Sequence, residues 1–336
     1  MTKTLTTLLL ASLATTALAE PGVITFKGKP GLPGSGKKVV LLGGDEEYRS
    51  EEANPQLAKI LSQHHGFDCV VTFSVDPETG HVDVNNQTST PGLQHLDDAD
   101  LCIMFWRFRN PDAKASKHLD AYVKAGKPII GLRTSTHGIR VGGDHPFSEW
   151  SFNSNKEGWK GGFGQQILGD TWINHHGHHK REATRGVIRD ENKNHPILRG
   201  VDDMFGPTDV YGIRNLPDSA TVLVDGQVIA GMKPEDPPVE GKKNDPMQPV
   251  IWLKDYQVPG GKKGVASCNT FFSSMEMLSE DIRRVTVNTV YFLTGLEGKI
   301  TGDLDVSFVG KYEPTMYGFT KGEFWKEKAL DPKSLK

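Results

Sequence analysis

The chain has 336 residues, with 39 Lys or Arg against 42 Asp or Glu and a formal net charge of −3. That balance leaves no basic footprint, so no nucleic-acid partner is expected. Three cysteines, Cys69, Cys102 and Cys268, are too few and too scattered for a disulfide scaffold, and they read as buried small apolar groups.

The first segment, "MTKTLTTLLLASLATTALAE", joins Lys3 to an apolar stretch and places Ala17 and Ala19 before Glu20. This is the pattern of a cleaved secretory signal over residues 1–19. The stretch is too short and too rich in Thr and Ser to persist as a membrane span. A secreted or periplasmic protein with no remaining span is expected. Residues 20–36, rich in Gly and Pro, read as an extended lead-in.

An alternation then begins. "KKVVLLGG" is a predicted strand ending in glycines. "NPQLAKILSQHHG" spaces Leu57, Ile60 and Leu61 as a helix does and stops at Gly66. "FDCVVTFS" and "DADLCIMFW" are strands, "DAKASKHLDAYVKAG" is a helix, and "KPIIGLR" is a fourth strand. Apolar runs without alternation, separated by helices, predict an α/β fold with a mostly parallel sheet and helices on both faces. Further on, "GFGQQILG" is predicted as a helix, "EATRGVIRD" as a strand, and "SATVLVDGQVIAG" as a hairpin turning at Asp225-Gly226. "PVIWLKDY" and "KKGVASCN" supply two more strands, and "EDIRRVTVNTVYFLTGLEG" is a closing amphipathic helix. The expected organisation is one α/β domain over residues 37–298 and a tail over 299–336.

Parallel sheets place ligands beyond the carboxyl ends of their strands, which directs attention to the loops there. "GGDEEYRSEE" follows the first of these strands and offers Asp45, Glu46 and Arg49; a solvated acidic helix start is the alternative. "PIIGLRTSTHGIR" has the strand, sharp turn and helix of a nucleophile elbow. Its elbow position is Arg133, which cannot act as a nucleophile because guanidinium stays protonated. His137 in the same turn is a ligand or acid–base candidate. "GDTWINHHGHHKREATRG" sets four histidines around Gly177, and the spacing of His175 and His178 loosely suits a divalent metal such as zinc. A polar loop is the alternative. "GPTDVYGIR" adds Asp209 and Tyr211. Trp106, Trp150, Trp159 and Trp172 lie near these loops in sequence and suit either sugar rings or ordinary packing.

Taken in order, "VVLLGGDEEYRSEEANPQLAKIL", "KPIIGLRTSTHG", "NHPILRGV", "TDVYGI", "PVIWLKDY" and "IRRVTVNTVYFLTGLE" resemble the ThuA-like (trehalose utilisation) family, and its exported planctomycete-type branch most. The resemblance runs from Lys37 to Glu297. It implies a class I glutamine amidotransferase-like, three-layer sandwich and a role in carbohydrate metabolism. His137 matches the family's histidine after a strand end, Asp209 and Tyr211 its "DE-x-Y" motif with Asp209 in place of the glutamate, and His195-Pro196 its "HP" turn. Asp45 to Arg49 stand where a "GHxF"-like signature is usual, and "CNTFFSSME" from Cys268 replaces a "GH" pair. Arg133 in place of the amidotransferase cysteine implies no glutamine amidotransferase activity.

The resulting expectation is an exported protein acting on a small carbohydrate, either a disaccharide or a keto-glycoside. His137, Glu46 and Asp209 would transfer protons. Asp45, Arg49, Arg133 and Tyr211 would hold the substrate, and His175 and His178 a metal. The histidine loop is expected to fold over the sheet's carboxyl edge, near His137 and the Asp45-Glu46 pair. A non-catalytic carbohydrate-binding or assembly protein on the same fold is the alternative.

Overall fold

The computed structural model describes residues 20–320 and 322–336, so the signal segment lies outside the described residues. In chain order the main elements are β1 (Val23–Phe26), β2 (Lys38–Gly44), α1 (Ser50–Gln63), β3 (Asp68–Thr72), β4 (Leu101–Trp106), α2 (Ala113–Lys124) and β5 (Ile129–Leu132). There follow β6 (Ala183–Ile188), β7 (Met204–Gly206), β8 (Thr221–Ile229), β9 (Gln248–Tyr256), β10 (Gly264–Asn269), α3 (Glu280–Leu293) and the short α4 (Phe324–Lys328).

All ten strands join one sheet in the order β1-β3-β2-β4-β5-β10-β9-β8-β6-β7. Neighbours from β3 to β10 are parallel. From β10 outward through β9, β8, β6 and β7 every pair is antiparallel, as is β1 on β3. The fold is therefore α/β with a mixed sheet, parallel only in its first half. The break follows from chain economy. Parallel neighbours need a crossover, which α1 and α2 provide, whereas β8, β9 and β10 follow one another through loops and can pair antiparallel.

The parallel strands alternate between two apolar clusters. Val39, Leu41, Ile103 and Phe105 pack with Leu57, Ile60 and Leu61 of α1 and with Ile282, Val285 and Val290 of α3. Val40, Leu42, Cys102 and Met104 pack with Leu119, Tyr122 and Val123 of α2. Each such side chain, fully buried, contributes about 1.5–3 kcal/mol of transfer free energy. Local signals set the helix starts. Asp112 caps α2 by accepting from the amides of Lys114 and Ala115, and Ser279 caps α3 by accepting from Ile282 N.

The extended lead-in includes β1, Val23–Phe26. Two expectations need correction. The proposed hairpin at Asp225-Gly226 does not exist, since β8 runs straight through both residues with a register shift beside β9. Gly226 is there for close approach rather than a turn: a Cβ on it would meet Val250 Cγ1 at 2.6 Å. The helix predicted around "GFGQQILG" is a single π-helical turn, Gly164–Leu168. The tail lies against the domain, with Val306, Tyr317 and Trp325 buried in the core shared by α1 and α3. The three cysteines are free and buried. No described helix is long and apolar enough to cross a membrane.

Candidate active site

Register aligns Gly44 of β2 with Trp106 of β4, and Leu132 of β5 with Asn269 of β10. The loops that leave these strands consequently share one edge of the sheet. Onto that edge come residues 45–49, 107–110, 133–137 and 270–276.

Asp45 is fully buried and ties two of these loops together. One carboxylate oxygen accepts from the amides of Glu47 (2.6 Å) and Tyr48 (2.7 Å), and the other accepts from the Thr134 hydroxyl. Burial and the neighbouring Glu46 push its carboxyl up to about 6. Glu46 is clamped by Arg107 and by Arg109, whose Nη2 lies 2.5 Å from Oε2. A carboxylate with two guanidiniums on it is poorly placed to accept a proton. Glu46 is an internal counter-ion in this geometry, not a free base.

Arg133 occupies the elbow with φ 43, the left-handed backbone of a sharp strand-to-helix turn. It is fully buried. Its Nη1 donates to the carbonyls of Asp209 and Thr270 (both 2.7 Å), and its Nη2 donates to Tyr48 Oη (3.2 Å) and Asp209 Oδ1 (3.1 Å). The guanidinium lies between the rings of Tyr211 (3.7 Å) and Tyr48 (4.6 Å). It is thus not open to substrate; it supports Asp209 from beneath. Arg49 is also not brought to the site. It is buried at the start of α1 with φ 63, and its recorded ion pair is Glu51, 3.9 Å away.

Asp209 is the centre of the arrangement. Its Oδ2 lies 2.5 Å from His175 Nδ1, and its Oδ1 lies 2.9 Å from His179 Nδ1. Burial would raise its carboxyl, but Arg133 and the two imidazoles outweigh this and hold it well below the usual carboxylate range. An ionised Asp209 only accepts, so both imidazoles donate to it through Nδ1–H. His179 reaches on through Nε2 to Glu47 Oε1 at 3.2 Å. Hydrogen bonds from Asp209 and Glu47 push it up to about 9. His175 makes no ring hydrogen bond other than that to Asp209 among the described residues, and a third of its side chain is exposed.

The histidine loop therefore sorts its members. His175 and His179 enter the site. His176 donates through Nε2 to Lys243 O (2.8 Å). His178 is 68% exposed at its side chain and lies 3.8 Å from Glu182 Oε1. The expected metal pair of His175 and His178 is thus not assembled; the residue beside His175 is His179. Gly177 lets the loop pack closely there: a Cβ on it would meet Asp209 Cβ at 3.2 Å.

His137 lines the neighbouring wall. It is buried among Phe108 (4.9 Å), Trp172 (5.0 Å) and Tyr211 (6.3 Å between ring centroids). Burial, with Arg107 and Arg133 nearby, holds it well below the usual imidazole range, so it is neutral. Trp172 and Tyr211 also flank His175, at 5.6 and 5.4 Å. His195 lies elsewhere. It starts the turn before Leu198 and packs on Phe292.

Glu47, Tyr48 and His179 lie in the loops the sequence singles out, without roles assigned to them there, and Tyr317 lies in none of those loops. The four-residue spacing of His175 and His179 was a weak signal, but Gly177 between them removes any helical argument. Tyr317 had no signal at all. It comes from the tail, stacks on Tyr48 (5.2 Å) and faces His179 (5.5 Å), while Gly318 N donates to Glu47 O (2.7 Å).

His175, His179 and Asp209 each offer a ligand atom, all within 4.8 Å of one another, and the donor types suit zinc. In this arrangement each imidazole is at hydrogen-bond distance from Asp209. Arg133 also sets a fixed positive charge against the same carboxylate.

No protein family and no curated protein matches the chain. Among solved structures, a protein from Parabacteroides merdae described as ThuA-like is 11% identical, with a TM-score of 0.44 over 77% of this chain and 90% of that one. A cytoplasmic protein from Salmonella typhimurium is 14% identical, with a TM-score of 0.40 over 76% of this chain and 98% of that one. An exo-β-1,4-mannosidase from an Opitutaceae bacterium is 10% identical, with a TM-score of 0.34 over 77% of this chain and 36% of that one. None of these likenesses bears on the chemistry of the site.

Proposed function

We propose that this chain is an exported acid–base enzyme acting on a small carbohydrate, a disaccharide or keto-glycoside, with His175 as the group that moves the proton. The observation that carries the reading is the ionised, buried Asp209 holding His175 through Nδ1. An imidazole fixed in that tautomer presents Nε2 as a base, and the carboxylate behind it stabilises the imidazolium that forms. His179, kept protonated by Asp209 and Glu47, sets a positive charge beside the same point. That charge would stabilise an oxyanion developing on a carbonyl or leaving hydroxyl. Trp172, partly exposed beside His175, supplies an aromatic face that suits a sugar ring, with the buried Tyr211 behind it. His137 positions Trp172 rather than titrating. The resemblance noted in the sequence motifs supports the carbohydrate class, and the two apolar clusters support the three-layer arrangement.

The test is proton exchange. A keto-glycoside incubated with the protein in D2O should exchange the C–H next to its carbonyl, followed by NMR, and His175→Gln should abolish the exchange. Wild-type protein that exchanges nothing and converts no disaccharide would overturn the enzyme reading. Binding without turnover would favour the alternative, a binding protein, for which the charge-locked Glu46 speaks. Glutamine hydrolysis is not expected, because Arg133 at the elbow has neither a nucleophilic atom nor an open face. Export is proposed from the first twenty residues, and N-terminal sequencing of exported protein should begin at Glu20.

A further inference from the structure

A cavity of about 580 Å³ adjoins the aromatic wall at Trp172. Phe152, Asn153, Lys160, Gln165, Thr171 and Asn215 are among its lining residues. It does not lie over the histidines but adjoins them through stacked rings. Phe152 packs on Phe108 (5.0 Å), Phe108 on His137 (4.9 Å), and His137 on Trp172 (5.0 Å), which sits between the lining residues Thr171 and Ile173.

This cavity is held open by a dedicated framework. Asp170 is fully buried, and its carboxylate accepts from the amides of Thr171 (2.8 Å), Arg214 (2.7 Å) and Asn215 (3.2 Å), and from Asn215 Nδ2 (3.3 Å). One side chain thereby fixes both walls. Gln165 bridges them again, donating through Nε2 to Gly169 O (2.8 Å) and Asn215 O (2.9 Å), while Thr171 Oγ1 donates to Phe152 O (3.0 Å). Gln165 and Gln166 sit on the π-helical turn, a distortion that recurs at functional sites. A volume in the range of roughly 300–1,000 Å³ with a pre-formed lining is what small-molecule sites have.

The lining chemistry selects the ligand class. Side-chain amides and hydroxyls dominate, no carboxylate lines the cavity among the described residues, and the one cation is the exposed Lys160. Amides donate and accept at once, which matches the hydroxyls of a neutral sugar. Phe152 and the 45% exposed Ile173 add apolar faces for a sugar ring's C–H side. We infer that this cavity is a second subsite for a neutral sugar ring, taking the distal unit of a di- or oligosaccharide whose proximal ring lies at His175. The inference rests on the carbohydrate reading of the first site.

The test is calorimetric titration of the purified chain with glucose and with maltose, trehalose and cellobiose, which carry the same ring in three linkages. At least one disaccharide should bind about tenfold tighter than glucose, equivalent to about 1.4 kcal/mol. Asn155→Ala with Lys160→Ala, both exposed and outside the framework, should remove that advantage and leave glucose affinity unchanged. Asn155→Trp should block it sterically. Disaccharides no tighter than glucose, or an advantage that survives both variants, would overturn the subsite while glucose binding lost in His175→Ala keeps the first site. If none of the four sugars binds, the carbohydrate reading and this inference fail together.

Discussion

Two loops meet over the same edge of the sheet and are built on opposite plans. In the loop of residues 45–49 nearly every charged group is buried and answered from elsewhere in the fold: Asp45 by Thr134 and two amides, Glu46 by Arg107 and Arg109. In the loop of residues 174–180 the histidines are half exposed, and a single residue, Asp209, holds the two that matter. The first loop is a fixed electrostatic background. The second presents imidazoles to the open side of the site. Catalytic sites need both, because dipoles already paid for in folding stabilise charge without reorganising when a proton moves.

The contrast predicts where damage should be greatest. Arg133 joins the two plans, since it reaches Asp209, Thr270 and Tyr48 from full burial. Arg133→Met leaves Asp209 as a buried charge facing only imidazoles, and leaves two carbonyls without a donor. A loss of about 3–5 kcal/mol in chemical denaturation is expected. A loss under about 1 kcal/mol would mean that the histidines alone hold Asp209 in place.

Asp45 gives an effect of opposite sign. Its folded carboxyl is raised from 3.8 to about 6, chiefly by burial and then by Glu46. A raised value favours the protonated form in the folded state. The stability it contributes is therefore full below about pH 4 and is lost as pH rises through 6. Asp45→Asn keeps an acceptor for Glu47 N and Tyr48 N and cannot ionise. It should flatten the stability profile between pH 4 and 6 and gain roughly 2–3 kcal/mol at pH 7. Urea titrations at several pH values measure this, and a variant less stable at pH 7 would show that Thr134 needs the charge.

The same contrast explains how much the sequence disclosed. Strands β2 to β5 and helices α1 and α2 were legible because burial on both faces writes unbroken apolar runs, as in "LCIMFW". Asp45 and His137 were legible as site-edge residues because parallel topology fixes which strand ends carry loops. Partners were not legible. Nothing local in "GDEEYR" says that Glu46 meets Arg109, 63 residues on, or that Glu47 meets His179. Gly226 misled for the same reason: Asp-Gly marks a turn by local rule, and only the packing of β8 against β9 shows why glycine was needed. Tyr317 lay beyond any local argument, because a tail without periodicity gives no sign of where it packs.

A smaller effect should separate His179 from its neighbours. Its imidazole is raised from 6.5 to about 9, with the Asp209 hydrogen bond as the largest cause and that from Glu47 next. The stability it contributes is full below about pH 6.5 and is lost as pH rises through 9. Glu47→Gln removes one of the two carboxylates, so the midpoint should fall but stay above 6.5. NMR titration of the histidine ring signals reads it directly. A midpoint that does not move would place the whole shift on Asp209 and detach the two loops from one another electrostatically.

The smallest expected effect tests the sorting of the histidine loop itself. His178 shares the loop with His175 and His179, yet its side chain is 68% exposed and its ion-pair partner among the described residues, Glu182, lies 3.8 Å away. An exposed pair at that distance is worth little, because water screens it and two side chains must be ordered to make it. The bond that does anchor the residue runs from its backbone amide to Glu182 Oε2 (2.6 Å), and alanine keeps that amide. His178→Ala should therefore change stability by less than about 0.5 kcal/mol. It should also leave the His179 midpoint and the His175-dependent proton exchange where they were. His175→Ala, by contrast, should abolish the exchange while the chain stays folded, because its loss leaves Asp209 still paired with Arg133 and His179. If His178→Ala matched His175→Ala in either measurement, the division of this loop into inner and outer histidines would be wrong, and the H-x-x-H spacing would regain its claim to a shared ligand.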